Sequence, residues 1–122
     1  MSGFDPASLP VLAARSAATK TDRPVVVLDV GEVLAITGWF VIASGGTDRQ
    51  VRAIAEAVED GVTHAGGPKP LRIEGLDEGS WVLMDYGDVV VHVMDDDTRE
   101  FYDLERLWRD VPIVEWDDRT SG

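Results

Sequence analysis

The sequence predicts a single α/β (α+β) domain in which a mixed five-stranded sheet is flanked by helices. Three observations lead there. Five short runs rich in Val, Ile and aromatic residues are separated by turn signals. One long segment between the second and third runs repeats its apolar residues at helical spacing. The length, 122 residues, suits one domain built on one hydrophobic core.

A first helix is expected over residues 7–19, where Leu9, Leu12 and Ala13 share a face and Ala17 follows a turn later. Pro10 fits it only because it falls in the first turn. Pro24 disfavours helical geometry at Arg23 and closes the segment "TKTDRP". Residues 25–30, "VVVLDV", are nearly all apolar and read as an interior strand. Residues 39–44 form a second strand after a short gap, so the two should be antiparallel neighbours.

Thr47 is then a helix N-cap with Gln50 as its capping-box partner. Val51, Ile54, Ala55, Val58 and Val62 make one apolar stripe, which Gly66, Gly67 and Pro68 stop. Residues 71–74 are a short third strand. Because a helix leads to it, residues 39–74 should be a right-handed βαβ unit. "WVLMDY" and "DVVVHVM" are strands four and five, joined at Gly87 by a tight hairpin. A last helix should begin near "DDDTRE" with Asp97 as N-cap and Glu100 as capping-box partner. Asp95 and Asp96 suit the positive end of its dipole. Residues 1–110 thus form the domain, and 111–122 an extended tail fraying to disorder.

Composition narrows the function. Residues 1–73 carry 7 Lys+Arg against 8 Asp+Glu, while residues 74–122 carry 4 against 15. An acidic half argues against direct nucleic-acid binding, which depends on neutralising phosphates, and suits solubility or a basic partner. With no cysteine, disulfides, thiolate metal sites and a cysteine nucleophile are excluded. No apolar run approaches the roughly 18 residues of a membrane span. The N-terminus lacks the basic start and apolar stretch of a signal peptide, so a cytoplasmic protein is expected.

No motif assembles a catalytic set. "ASGGTDRQ" places glycines between a strand and a helix, as in nucleotidyltransferase-like folds, but neither a Walker loop nor G-x-G-x-x-G is present. Metal-dependent transfer would need paired carboxylates, and the candidates are Asp85 and Asp88. A turn at Gly87 lies between them, and a three-residue spacing does not put both on one strand face. A metal-dependent nucleotidyltransferase or nucleotide binder is therefore the alternative reading, and a tight turn that caps the helix the preferred one. His92, with no second histidine nearby, reads as a hydrogen-bonded structural residue before a base or ligand. No metal or cofactor site is expected.

On the last helix, Phe101, Leu104, Leu107 and Trp108 fall at core-facing spacing, with Tyr102, Glu105, Arg106 and Arg109 outward. Tyrosine and arginine beside an acidic cluster suit a partner anchor. Trp81, after the loop "EGLDEGS", is either another anchor or a core residue.

The run "VVVLDV…ITGWFVIASGGTDRQVRAIAEAV…LRIEG…WVLMDYGDVVVHVM…TREFYDLERLW" resembles the ribosomal silencing factor (RsfS, Iojap-like) family from Val25 to Trp108. One departure is Gly38-Trp39, where the family usually has an aspartate and then a tyrosine or similar residue, so a polar role of that aspartate does not carry over. The resemblance implies a nucleotidyltransferase-like fold without the catalytic set, and a binding function instead of an enzymatic one. It implies binding of the large ribosomal subunit through universal large-subunit protein fourteen, on the face that meets the small subunit. Subunit joining would be blocked and translation repressed when nutrients are short. It further implies a link to large-subunit maturation and a homodimer when free. Matching the family's strongest motif, the expected partner-binding residues are Trp81, Asp88, His92, Tyr102, Leu104 and Glu105.

Overall fold

The computed structural model describes residues 3–35 and 37–116. After a 3-10 turn at Pro6–Ser8 the order is α1 (Leu9–Ala18), β1 (Val26–Asp29), β2 (Trp39–Gly45), α2 (Asp48–His64), β3 (Arg72–Glu74), β4 (Trp81–Asp85), β5 (Val89–Asp95), α3 (Asp96–Tyr102), α4 (Leu104–Leu107) and β6 (Ile113–Val114). The strands form one mixed sheet in the order β3-β4-β5-β2-β1-β6. The α/β class holds, with six strands among the described residues where five were expected.

The sixth comes from the tail. Val27 pairs with Val114 and Leu28 with Ile113, and the Trp116 indole N–H donates to the Val25 carbonyl at 2.7 Å. A two-residue strand is too short to announce itself in a sequence, yet it covers the outer edge of β1, which would otherwise be unpaired. The sheet therefore continues past residue 110. Residues 117–122, the rest of the tail expected to be extended and to fray, lie outside the described residues.

β1 and β2 are antiparallel neighbours, as their short connection predicts. β2 and β5 pair in parallel over seven residues, from Trp39–Val89 to Gly45–Asp95. β4 is antiparallel to both β5 and β3, so β3 runs in the direction of β2 from three places away. The β2-α2-β3 unit is thus a crossover that spans two intervening strands.

One sheet face is sealed by the long helices. Val51, Ile54, Ala55, Val58 and Val62 of α2, the stripe read from sequence, are all buried. They pack with Leu9, Ala13, Ala14 and Ala17 of α1 onto Val27, Val41, Val82, Val91 and Val93 of the strands. Tyr86 lies at the margin of this layer, and burial, aided by Glu59, pushes its hydroxyl up to about 12. A smaller cluster occupies the other face: Leu28, Val30, Ile42, Met94 and Leu104, flanked by Phe40, Trp81 and Trp108.

Two helix caps differ in detail from expectation. The Thr47 hydroxyl accepts the Gln50 N–H at 3.1 Å, but the Gln50 side chain reaches back to the Gly46 N–H at 2.7 Å instead of to Thr47. Its amide nitrogen also donates to the Lys20 carbonyl, and this long-range bond sets where the side chain points. The second correction concerns α3, whose N-cap is Asp95 and not Asp97. The Asp95 carboxylate accepts the Thr98 N–H at 2.7 Å while its backbone is still extended, so β5 runs straight into the helix.

Ile54→Ala empties the interface between α2 and the sheet. Equilibrium denaturation should show a loss of about 2–5 kcal/mol, with the far-UV spectrum at low denaturant unchanged.

Candidate partner-binding surface

The face away from α1 and α2 carries an aromatic chain. Its first links are internal: Phe40 stands edge-on to His92 with centroids 4.8 Å apart, and to Trp108 at 5.5 Å. From His92 the chain continues through Trp81 to Tyr102, whose ring lies 4.8 Å from the indole, and then to Phe101 at 5.0 Å. It therefore begins in the core and ends in solvent. Tyr102 is 53% exposed, Phe101 80% and Leu107 72%. Glu100, Asp103, Arg106 and Asp110 border an open groove of about 570 Å³ beside these three.

This arrangement departs from one expected helix face. The helix breaks at Asp103, which takes left-handed geometry (φ 47°, ψ 58°) and separates α3 from α4. Aspartate is among the few side chains that tolerate that region. The break resets the rotation of everything after it. Leu104 still points inward at 9% exposure and Trp108 packs on the second cluster, but Phe101 and Leu107, expected in the core, stand in solvent.

Two arginines fasten this elbow to the sheet. Arg99, with its side chain largely buried, donates to the Pro24 carbonyl (2.6 Å), the Ser44 hydroxyl (2.9 Å) and the Glu105 carboxylate (3.0 Å). Arg23 pairs with Asp96 at 2.8 Å. Hydrogen bonding to Asp96 is the main cause that raises the Arg23 guanidinium further above its usual value. Neither arginine was expected to have a role, because the partners that tie them across the fold, Asp96, Pro24 and Ser44, lie 55 to 75 residues away.

Of the expected partner-binding residues, Trp81 and Tyr102 pack against each other with their rings tilted, His92 and Leu104 lie beneath them, and Glu105 braces the elbow at its margin. His92 is 6% exposed and accepts the Trp81 indole N–H at Nδ1 over 3.1 Å. Leu104 is packed beneath the elbow, and Glu105 holds Arg99. Asp88 does not join the group. It is exposed in the β4–β5 turn, at the opposite end of β5, roughly 20 Å along the strand from α3. Phe101 and Leu107 belong to the surface but were not singled out for it, and Phe40 supports it from the core side. No local signal marked Phe101 and Leu107, because both fall at core-facing spacing unless the helix breaks at Asp103.

The alternative chemistry finds no matching geometry. The Asp85 carboxylate accepts the Gly87 N–H at 2.8 Å and lies 3.5 Å from Arg72, so it serves the hairpin and the β3–β4 pair. The Gly46 amide of "SGG" is occupied by Gln50. Among the described residues, no three or more of His, Asp and Glu come together in a way that could hold a metal ion. Nor is any helix among them long and apolar enough to cross a membrane.

Comparison with known proteins identifies the family. The family model "Ribosomal silencing factor during starvation" matches residues 5–121. The chain belongs to the ribosomal silencing factor family. It is 39% identical over 106 residues to the ribosomal silencing factor RsfS of Bacillus subtilis, covering 87% of this chain and 89% of that one. It is 34% identical over 88 residues to the mouse protein named mitochondrial assembly of ribosomal large subunit protein 1, covering 70% of this chain and 39% of that one. A crystal structure of a Chromobacterium violaceum protein, 33% identical, superposes with a TM-score of 0.80 over 86% of this chain and 87% of its own.

The family is one of ribosome-associated regulators, not of enzymes, and the departure at Gly38-Trp39 is accommodated through the backbone. Both N–H groups donate to the Asp88 carbonyl, at 2.8 and 2.9 Å, and the Gly38 carbonyl accepts from Val30. The Trp39 side chain packs against the core on the helix side of the sheet.

His92 makes the stability of this family member depend on pH. Burial lowers its pKa from 6.5 to about 4. The folded state therefore resists the proton that the unfolded chain accepts, and this contribution is full above pH 6.5 and lost as pH falls toward 4. Between pH 7 and pH 4, urea denaturation should show wild type losing about 3 kcal/mol more than His92→Leu.

Proposed function

We propose that this chain silences translation by binding the large ribosomal subunit, through universal large-subunit protein fourteen, on the face that meets the small subunit. Occupying that face blocks subunit joining by bulk, with no chemical step. The observation that carries the reading is the outer end of the aromatic chain, Trp81 of β4 against Tyr102 and Phe101 of the braced helix α3, beside Glu100, Asp103 and Asp110 and the arginines Arg106 and Arg109. Large aromatic side chains held rigidly at a surface are typical interface anchors. The acidic half of the chain complements a basic protein and repels bare RNA, which favours a ribosomal protein over rRNA as the contact.

In this reading Trp81 and Tyr102 touch the partner, Phe101 and Leu107 extend the contact, and His92, Leu104 and Glu105 keep the surface in shape. Asp88 serves a peripheral, steering role. The free protein is a cytoplasmic homodimer, in which a second copy covers the exposed Phe101 and Leu107. The mouse relative's name favours a second use of the same surface, in assembly of the large subunit.

The test is sedimentation of purified large and small subunits mixed with a saturating excess of the protein. Joined ribosomes should be depleted, and their undiminished formation would overturn the reading. Tyr102→Ala should weaken large-subunit binding by on the order of tenfold or more while leaving the denaturation midpoint close to wild type. Raising ionic strength should slow association far more than it speeds dissociation in stopped-flow or surface-capture measurements, because the acidic surround acts on encounter.

A further inference from the structure

We infer that His92 is the positioning residue of the docking surface: it never touches the partner, but by accepting the Trp81 indole N–H it holds the Trp81–Tyr102 pair in its binding orientation. The inference deepens the functional reading above and rests on it.

Position comes first. His92 lies in the middle of β5, paired with Ile42 on one side and Leu83 on the other, on the sheet face that α1 and α2 leave uncovered. The Phe40 ring stands edge-on to the imidazole and Trp81 closes over it, so the side chain is walled by aromatic groups and shielded from any partner.

The hydrogen bond then dictates the tautomer. Trp81 Nε1 is only a donor, so His92 Nδ1 must be the acceptor and the proton of the neutral ring must sit on Nε2. That Nε2 is buried and has no hydrogen-bond partner among the described residues. A buried donor left unpaired is a cost that leucine or phenylalanine would avoid at the same place. Packing alone therefore does not account for an imidazole here, whereas the acceptor it offers to Trp81 does.

Consequence follows from where Trp81 stands. It opens β4 directly after the loop containing Gly75 and Gly79, whose backbone is held by Arg52 and by the Gly79–Gly75 bond, but those contacts fix the main chain and not the plane of the indole. The indole is half-buried, and its outer surface carries the Tyr102 ring. Pinning the indole nitrogen fixes the ring plane, and the ring plane fixes where Tyr102 rests. An anchor already ordered in the free protein loses less conformational freedom on binding.

The experiment uses the full chain, ¹⁵N-labelled, as wild type, His92→Leu and His92→Gln. The Trp81 indole resonance is assigned with Trp81→Phe, and its hydrogen exchange is measured beside affinity for purified large subunits. In His92→Leu the indole signal should move and exchange at least about tenfold faster, with α2 core amides as protected as in wild type. Large-subunit affinity should fall by on the order of tenfold. His92→Gln, whose amide oxygen can accept, should recover part of both losses. His92→Phe keeps the ring volume and replaces His92→Leu if the smaller side chain unfolds the chain. An indole exchanging as in wild type in the variant would overturn the inference, and so would a freed indole with unchanged affinity. Absence of large-subunit binding by wild type sinks the functional reading instead, and the indole exchange still decides whether His92 positions Trp81.

Discussion

The parallel pairing of β2 with β5 is the constraint on which the rest of this molecule depends. It joins two strands separated by some forty residues and places them at the centre of the sheet. Because the register aligns Gly45 with Asp95, both strands end at one edge, and α2 and α3 both start there. The helix that seals one face and the helix that bears the exposed aromatic side chains are thereby launched from neighbouring points. Arg23 and Arg99 can reach across that edge only because the strand ends coincide.

The two faces of the sheet then take different roles. One is covered by α1 and α2 and is an ordinary aliphatic core. The other is covered only in part by the elbow of α3 and α4, and aromatic rings fill the margin between core and solvent. Rings suit that margin, since each buries a large apolar area while leaving an edge free to meet something else. The left-handed turn at Asp103 exposes Phe101 and Leu107, and the buried Arg99 keeps the elbow from relaxing back over them. Exposed apolar side chains on a braced frame are what distinguish a binding surface from a poorly packed one.

Much of this was legible beforehand. The α2 stripe, the apolar runs of β4 and β5, the glycine turn at Gly87 and the Thr47 cap are all local signals, and each element appears where its pattern puts it. The elements that were missed or misplaced lack such a signal. β6 is two residues long and is defined by β1, not by its own composition. The start of α3 shifted because three consecutive aspartates are equally good caps, and only the end of β5 selects Asp95. Phe101 and Leu107 were assigned to the core because a helix pattern assumes an unbroken helix.

By itself, the sequence determined the element types, the single core, the acidic half and the family, because periodicity, charge and motif are properties of residues near one another along the chain. Only the tertiary structure decided that the stretches "WVLMDYGDVVVHVM" and "REFYDLERLW" divide into rings that reach solvent and residues that brace them. His92 and Glu105 look as available as Tyr102 when written in a line. Their roles are set by partners brought close through long-range strand pairing, and the free energy of such contacts depends on distance and burial, which a linear pattern does not encode.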